Sequence, residues 1–262
     1  MRKKILYLIE RMKEDKIAFR IYTILQALVI VAAVRSFFRG EYHSIFICIL
    51  TTFLLLLPSF FEDHLKVKLP TTITIIILFF IYAAEILGEI NAYYLKFEFW
   101  DTMLHTTNGF LCAAIGIGII DLLNSSKKTS LSLSPLYVAL ASFCFSMTIG
   151  VLWEFFEYGA DLFFATDMQK DTIVSYLNSV DLNSTPINKP ILIDNVTKLI
   201  VNDQTLPFKG YLDIGLHDTM FDMFVNFIGA VFFSIIGYFY VKAKGKHKFA
   251  KEFIMVVNSK KE

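Results

Sequence analysis

Apolar residues in this chain do not recur with the period of a soluble amphipathic helix or strand. They come in six long blocks separated by polar joints. The blocks run over roughly Ile21–Phe38, Ser44–Phe61, Thr71–Leu95, Trp100–Leu123, Pro135–Phe164 and Asp218–Val241. A bilayer crossing takes roughly 20 apolar residues, and the blocks are about that long. The pattern predicts an all-α fold, a polytopic membrane helical bundle of about six transmembrane helices, forming a single membrane domain over residues 1–262. The one long connection is Ala165–Gly215. It carries Pro186, Pro190 and Pro207 among many Asn, Asp and Ser residues, and its apolar patches, Ile191–Ile193 and Val196–Val201, are too short to cross. A connection of this length is usually functional or disordered, and it reads as a lid over one membrane face.

Composition supports this class. The chain is 55% hydrophobic and 16% aromatic, with a mean hydropathy of +0.56. Its net charge of +1 points to no nucleic-acid partner. Cys48, Cys112 and Cys144 lie singly inside apolar blocks, which suits packed thiols better than a redox or metal motif. The basic start shows no clear cleavage site, so the first block reads as a retained helix.

Lysine and arginine set an orientation. The segment 1–20, the joint with Lys66 and Lys68, the joint with Lys127 and Lys128, and the tail 242–262 all fall on one side of a six-span chain. That side is the expected cytoplasmic one, which makes the long loop extracytoplasmic. Arg35 and Arg39 are discordant and are expected to snorkel or to pair with Glu41.

The same topology gathers acidic residues at the opposite side. The third block carries Glu85 and Glu89 late. The fourth opens with Asp101 and His105, then Asn108. The fifth ends with Glu154, Glu157 and Asp161, and the sixth opens with Asp218, Asp222 and Asn226. At 3.6 residues per turn, Glu154, Glu157 and Asp161 fall within about 60° of one helix face, opposite Phe155, Phe156 and Leu162. Carboxylates in membrane helices usually face a protein interior or a wet cavity. A faint echo relates Asp101-Thr-Met-Leu-His105 to Asp218-Thr-Met-Phe-Asp222, as in a parallel repeat of helical hairpins.

Crowded carboxylates raise one another's pKa unless a cation, a cationic group or protons neutralise them. Mixed carboxylate and imidazole donors suit Zn, Mn, Fe or Mg, so a divalent metal is the candidate cofactor. The candidate ligands are Asp101, His105, Glu154, Glu157 and Asp222. His105, Glu154 and Asp222 double as candidate acid–base groups. Glu85, Glu89, Asn108, Asp161, Asp218 and Asn226 are candidate supporting residues. Each has a plainer alternative: Asp101 and Asp218 as helix caps, the acids of the fifth block as a solvated helix end, Asn226 with Gly229 and Ala230 as a close helix contact. Ser142, Ser146 and Thr148 read as hydroxyls bonded within the helix. Phosphate-binding glycine loops, GxSxG, HExxH and dinucleotide fingerprints are absent from the sequence.

Asp101-x-x-x-His105 with Gly109, then Trp153-Glu154-x-x-Glu157, then Asp213-x4-Asp218-Thr219-x2-Asp222-Met223 ending Ile228-Gly229-Ala230, resembles the YjdF-like group of uncharacterised bacterial membrane proteins. More distantly, the pattern is similar to VanZ-like proteins, some of which are linked to glycopeptide-antibiotic resistance through the cell envelope. Thr102 stands where those often have Lys, and His217 where the YjdF-like pattern often has an aromatic. The resemblance implies a multi-pass protein of the bacterial cell membrane and supplies no reaction. Three functions stay open. One is binding or processing of an envelope lipid or head group, if enzymatic as a metal-dependent hydrolase or transferase at the outer leaflet. Another is a cation- or proton-coupled transporter, against which the apolar inner halves Leu111–Ile120 and Val231–Tyr240 count. The last is a structural or regulatory protein with a cation-stabilised acidic cluster. Membrane lipids are the expected partners, and oligomeric state is not legible.

Overall fold

The computed structural model describes residues 2–125, 133–244, 246 and 248–257. Lys127 and Lys128 lie outside the described residues, as do Gly245, His247 and the tail beyond Val257. Among the described residues, six stretches are long and apolar enough to cross a membrane: Lys16–Arg39, Tyr42–Leu65, Thr71–Ile90, Trp100–Leu123, Pro135–Phe164 and Leu216–Lys242. The fold is the expected polytopic helical membrane bundle. The chain divides into two compact units, Met1–Gly150 with Val225–Glu262, and Val151–Phe224.

The first unit opens with α1 (Arg2–Met12) and α2 (Lys16–Arg39). The first span starts earlier than Ile21 because Asp15 caps it: its carboxylate accepts the backbone N–H groups of Ile17 and Ala18, both at 3.1 Å. Gly40, at φ +71°, ends it in the left-handed region. The second span is broken at Leu55–Leu56 into α3 (Tyr42–Leu54) and α4 (Leu57–Leu65), and Pro58 sits in the first turn of α4, where its missing N–H costs nothing. After β1 (Val67–Lys68), α5 (Thr71–Tyr82) runs into a π-helix, Ala83–Ile90, that carries Glu85 and Glu89. That helix stops at Ile90, short of the expected Leu95. Asn91 and Ala92, the latter at φ +55°, turn the chain into α6 (Tyr93–Lys96). Arg39 does approach Glu41, at 3.8 Å. Arg35 instead donates to Asn91 Oδ1 at 3.0 Å.

α7 (Trp100–Ser125), α8 (Pro135–Phe164) and α9 (Leu216–Lys242) are the remaining spans. Between α8 and α9 lie β2 (Thr172–Val174), β3 (Leu177–Ser179), β4 (Ile191–Ile193), β5 (Ile200–Val201), β6 (Gln204–Thr205) and β7 (Tyr211–Asp213). They pair antiparallel as β2 with β7, β3 with β4 and β5 with β6. Asn202 and Asp203, both at positive φ, make the two-residue turn that suits strand twist in a hairpin. The long connection is therefore ribboned.

The tail also has structure. After α10 (Lys248–Lys251), β8 (Val256–Val257) pairs with β1, and Ala250, Ile254 and Met255 are buried in the first unit's core. Gly118 of α7 admits Met255: a Cβ there would stand 2.5 Å from Met255 Cγ.

α7 and α9 cross in close backbone contact. A Cβ on Gly109 would lie 2.0 Å from the Asn226 carbonyl oxygen, and one on Gly229 would lie 2.1 Å from that of Thr106. Each glycine faces the carbonyl three residues before the other, so the crossing is symmetric about the pair. This symmetry is three residues out of register with the sequence echo. The small-residue reading of Gly229 is thus realised. Gly109→Ala should force the two backbones apart and cost about 1–3 kcal/mol, the range for overpacking a filled contact. The check is the melting temperature in detergent, where a similar change at the uncrowded Gly159 should leave stability nearly unchanged.

Candidate functional site

In the first unit the site region is built around Asn226, which is only 1% exposed. The Asn108 side-chain N–H donates to Asn226 Oδ1 at 3.1 Å, and Asn226 Nδ2 approaches Met147 Sδ at 3.6 Å. Gly150 leaves room for the amide, since a Cβ there would meet Asn226 Nδ2 at 2.6 Å. Ser146 Oγ donates to the Gly109 carbonyl at 2.8 Å, from α8 to α7. A polar side chain in an apolar setting costs little once hydrogen-bonded. The amide pair therefore ties α7, α8 and α9 together at one level. One turn toward the start of α7, His105 Nε2 stands 3.5 Å from Asp101 Oδ1, with the ring buried and the carboxylate half-buried. An imidazole held beside a carboxylate is oriented by it.

The second unit contains the end of α8 and the start of α9. Here α8 has two faces. Glu154 and Glu157 are 4% and 7% exposed, while Phe155, Phe156 and Leu162 are open. Trp153 Nε1 donates to Glu157 Oε1 at 2.9 Å. Asp161 does something different from its neighbours. It accepts the Met168 N–H at 2.7 Å, the Gln169 N–H at 2.9 Å and the Thr166 hydroxyl at 2.7 Å. Asp218 accepts the Lys170 N–H at 2.7 Å, and Gln169 donates to the Thr219 hydroxyl. Both carboxylates thus pin the chain leaving α8 against the helix ends. Asp213 accepts the His217 N–H at 2.9 Å and so caps α9, the role expected of Asp218. Asp222 is 2% exposed. Outside the spans, burial and the nearby carboxylates of Asp167, Asp213 and Asp161 push the Asp171 carboxyl above the usual range, against Lys170.

The candidates therefore sort by environment. His105, Glu154, Glu157 and Asp222 are the buried titratable ones, and Asn226 is buried as well. Asn108 and Asn226 are joined as a helix tie, which favours the close-contact alternative for Asn226. Asp161 and Asp218 support the loop. Glu89 is exposed and Glu85 half-buried on the π-helix. Among the described residues, neither belongs to a group of three acidic, imidazole or thiol side chains with ligand atoms within 4.8 Å of one another. Ser142 and Thr148 bond within their helix as expected, to Val138 and Cys144 carbonyls, whereas Ser146 reaches α7. The sequence reading missed Gly150, Ser146 and Met147 as partners of the tie. A glycine one turn before Glu154 was the available signal.

Six membrane-length helices with buried ionisable side chains define a polytopic integral membrane protein. Residues 21–243 match the model of the family described as "Predicted membrane protein (DUF2238)", and the chain belongs to that family. YjdF, to which the motifs bear resemblance, is in this family. No curated protein and no solved structure matches the chain.

The amide tie gives a direct test. Asn108→Leu leaves the Asn226 amide short of a partner and should cost about 1–3 kcal/mol, while the double change Asn108→Leu with Asn226→Leu should recover part of that loss. Thermal melts of the two single variants and the double variant measure the coupling. Strict additivity would contradict the tie.

Proposed function

We propose that this protein binds or processes an envelope lipid or its head group at a carboxylate–imidazole pocket in the bacterial cell membrane, with a divalent cation as cofactor. The observation that carries the reading is the burial of Glu154, Glu157, Asp222 and His105, all nine-tenths or more shielded, on membrane-length helices. Buried carboxylates need a cation, a proton or a positive partner to remain there.

The charge pattern of the sequence supports treating these residues as one set, because the topology read from lysine and arginine brings the acidic ends of their blocks to the same side. α7, α8 and α9 meet at Asn108, Gly150 and Asn226. Asp101, His105, Glu154, Glu157 and Asp222 would hold the cation. Zn, Mn, Fe and Mg all accept such donors. Bound there, the metal would polarise a phosphoryl or carbonyl oxygen and acidify a water. Asp101 would orient His105, Trp153 would fix the Glu157 carboxylate, and Glu154 or Asp222 would exchange the proton with the substrate.

The lysine distribution favours an extracytoplasmic opening and cytoplasmic termini, and the distant VanZ-like pattern points the same way, toward the envelope. A one-sided pocket is favoured over a transport path. Met255 fills the bundle at Gly118, so a through-route along α7 would have to displace it.

Elemental analysis of protein purified without chelator tests the reading. The wild type should carry about one divalent ion per chain, and Asp222→Asn and His105→Ala should lose most of it. Equal, near-zero metal in all three would overturn the metal site.

A further inference from the structure

We infer that the ribboned connection between α8 and α9 is an interfacial element whose exposed apolar side chains lie in the lipid head-group region, so that the bilayer is the partner of this surface. This does not rest on the metal reading. It requires only that α8 and α9 span a membrane.

Three observations converge. The first is attachment. Asp161, near the end of α8, holds the backbone of Met168 and Gln169, and Asp218, in the first turn of α9, holds that of Lys170. β2 begins two residues later, and its partner β7 ends three residues before α9. The ribbon is therefore pinned at both ends to the tips of two membrane helices, at the level where a bilayer ends.

The second is the placement of charge. Among the strand residues of this connection only Asp213 is charged. Asp181, Lys189, Asp194, Lys198, Asp203 and Lys209 all fall in the turns and joints. The strands instead present Ile173, Leu192, Ile200, Val201 and Tyr211 outward, Leu192 at 59% exposure. Two-stranded ribbons are marginal in water without something to pack on, and apolar side chains with aromatic neighbours suit the head-group zone.

The third is continuity. Ile214, 81% exposed, and Leu216 carry the apolar surface from β7 onto α9, where Met220, Phe221 and Phe224 face outward. On α8, Phe163 and Phe164 do the same. Lipid covers these helix tips, and the strand surface extends that cover.

The test uses the full-length protein in vesicles of phosphatidylethanolamine and phosphatidylglycerol, with Cys48, Cys112 and Cys144 replaced. Single cysteines introduced as Leu192→Cys, Ile200→Cys and, as a turn control, Asp203→Cys are labelled with an environment-sensitive fluorophore. Labels at 192 and 200 should emit blue-shifted relative to 203. They should be quenched several-fold more by lipids carrying a shallow nitroxide than by aqueous iodide, with the reverse at 203. Iodide quenching at 192 and 200 equal to that at 203 would overturn the inference. Shielding from both quenchers would also overturn it, since a protein would then cover the face. Melting temperatures of the labelled variants confirm folding, and if one position fails to fold the other carries the test.

Discussion

Close approach of backbones is the constraint on which this bundle depends. In lipid there is little hydrophobic drive for helices to associate, so packing and interhelical hydrogen bonds must do it. Gly109 and Gly229 let α7 and α9 touch carbonyl to Cα. That contact brings Asn226 within reach of Asn108, and Gly150 opens α8 to the same amide. Contact and hydrogen bond depend on each other. Without the glycines the amides could not meet, and without the amides an apolar crossing would have little to fix its register.

In the second unit, burial divides the side chains of α8 by chemistry. Glu154 and Glu157 are 4% and 7% exposed. The aromatic residues between them make the opposite choice: Phe155 and Phe156 are exposed beside the buried Glu154 and Glu157. A helix whose phenylalanines face out and whose glutamates face in is inverted relative to a soluble one, and that inversion is what lipid as solvent imposes.

Much of this was legible beforehand. Block length placed all six spans, and the fifth was bounded to the residue, because a long apolar run flanked by Pro135 and a polar stretch has few alternatives. The face carrying Glu154 and Glu157 followed from helical spacing alone. What was not legible depends on partners distant in sequence. Nothing local separates Asp161, which holds a loop, from Glu157, which is buried, since both occupy the same stripe. The difference is that Met168 and Gln169 present free N–H groups only to Asp161. The same holds for the π-turns at Ala83–Ile90 and for the strand pairing of Val67 with Val257, which joins segments from nearly opposite ends of the chain.

That last pairing bears on which kinds of function the fold can host. A transporter alternates access, and the elements that move need low-energy ways to separate. In the first unit the tail is built in. Phe253 packs edge-on against Phe110 at 5.3 Å and lies 5.8 Å from Phe233, while Met255 fills the space left by Gly118. Phe110 directly follows Gly109, so the tail braces the same α7–α9 crossing that the glycines create. Opening a path beside α7 would expose this aromatic cluster and break the crossing together. The first unit's α7–α9 crossing is thus braced by a segment from late in the chain, so parting the two helices would cost packing at the glycines and at the aromatic cluster together.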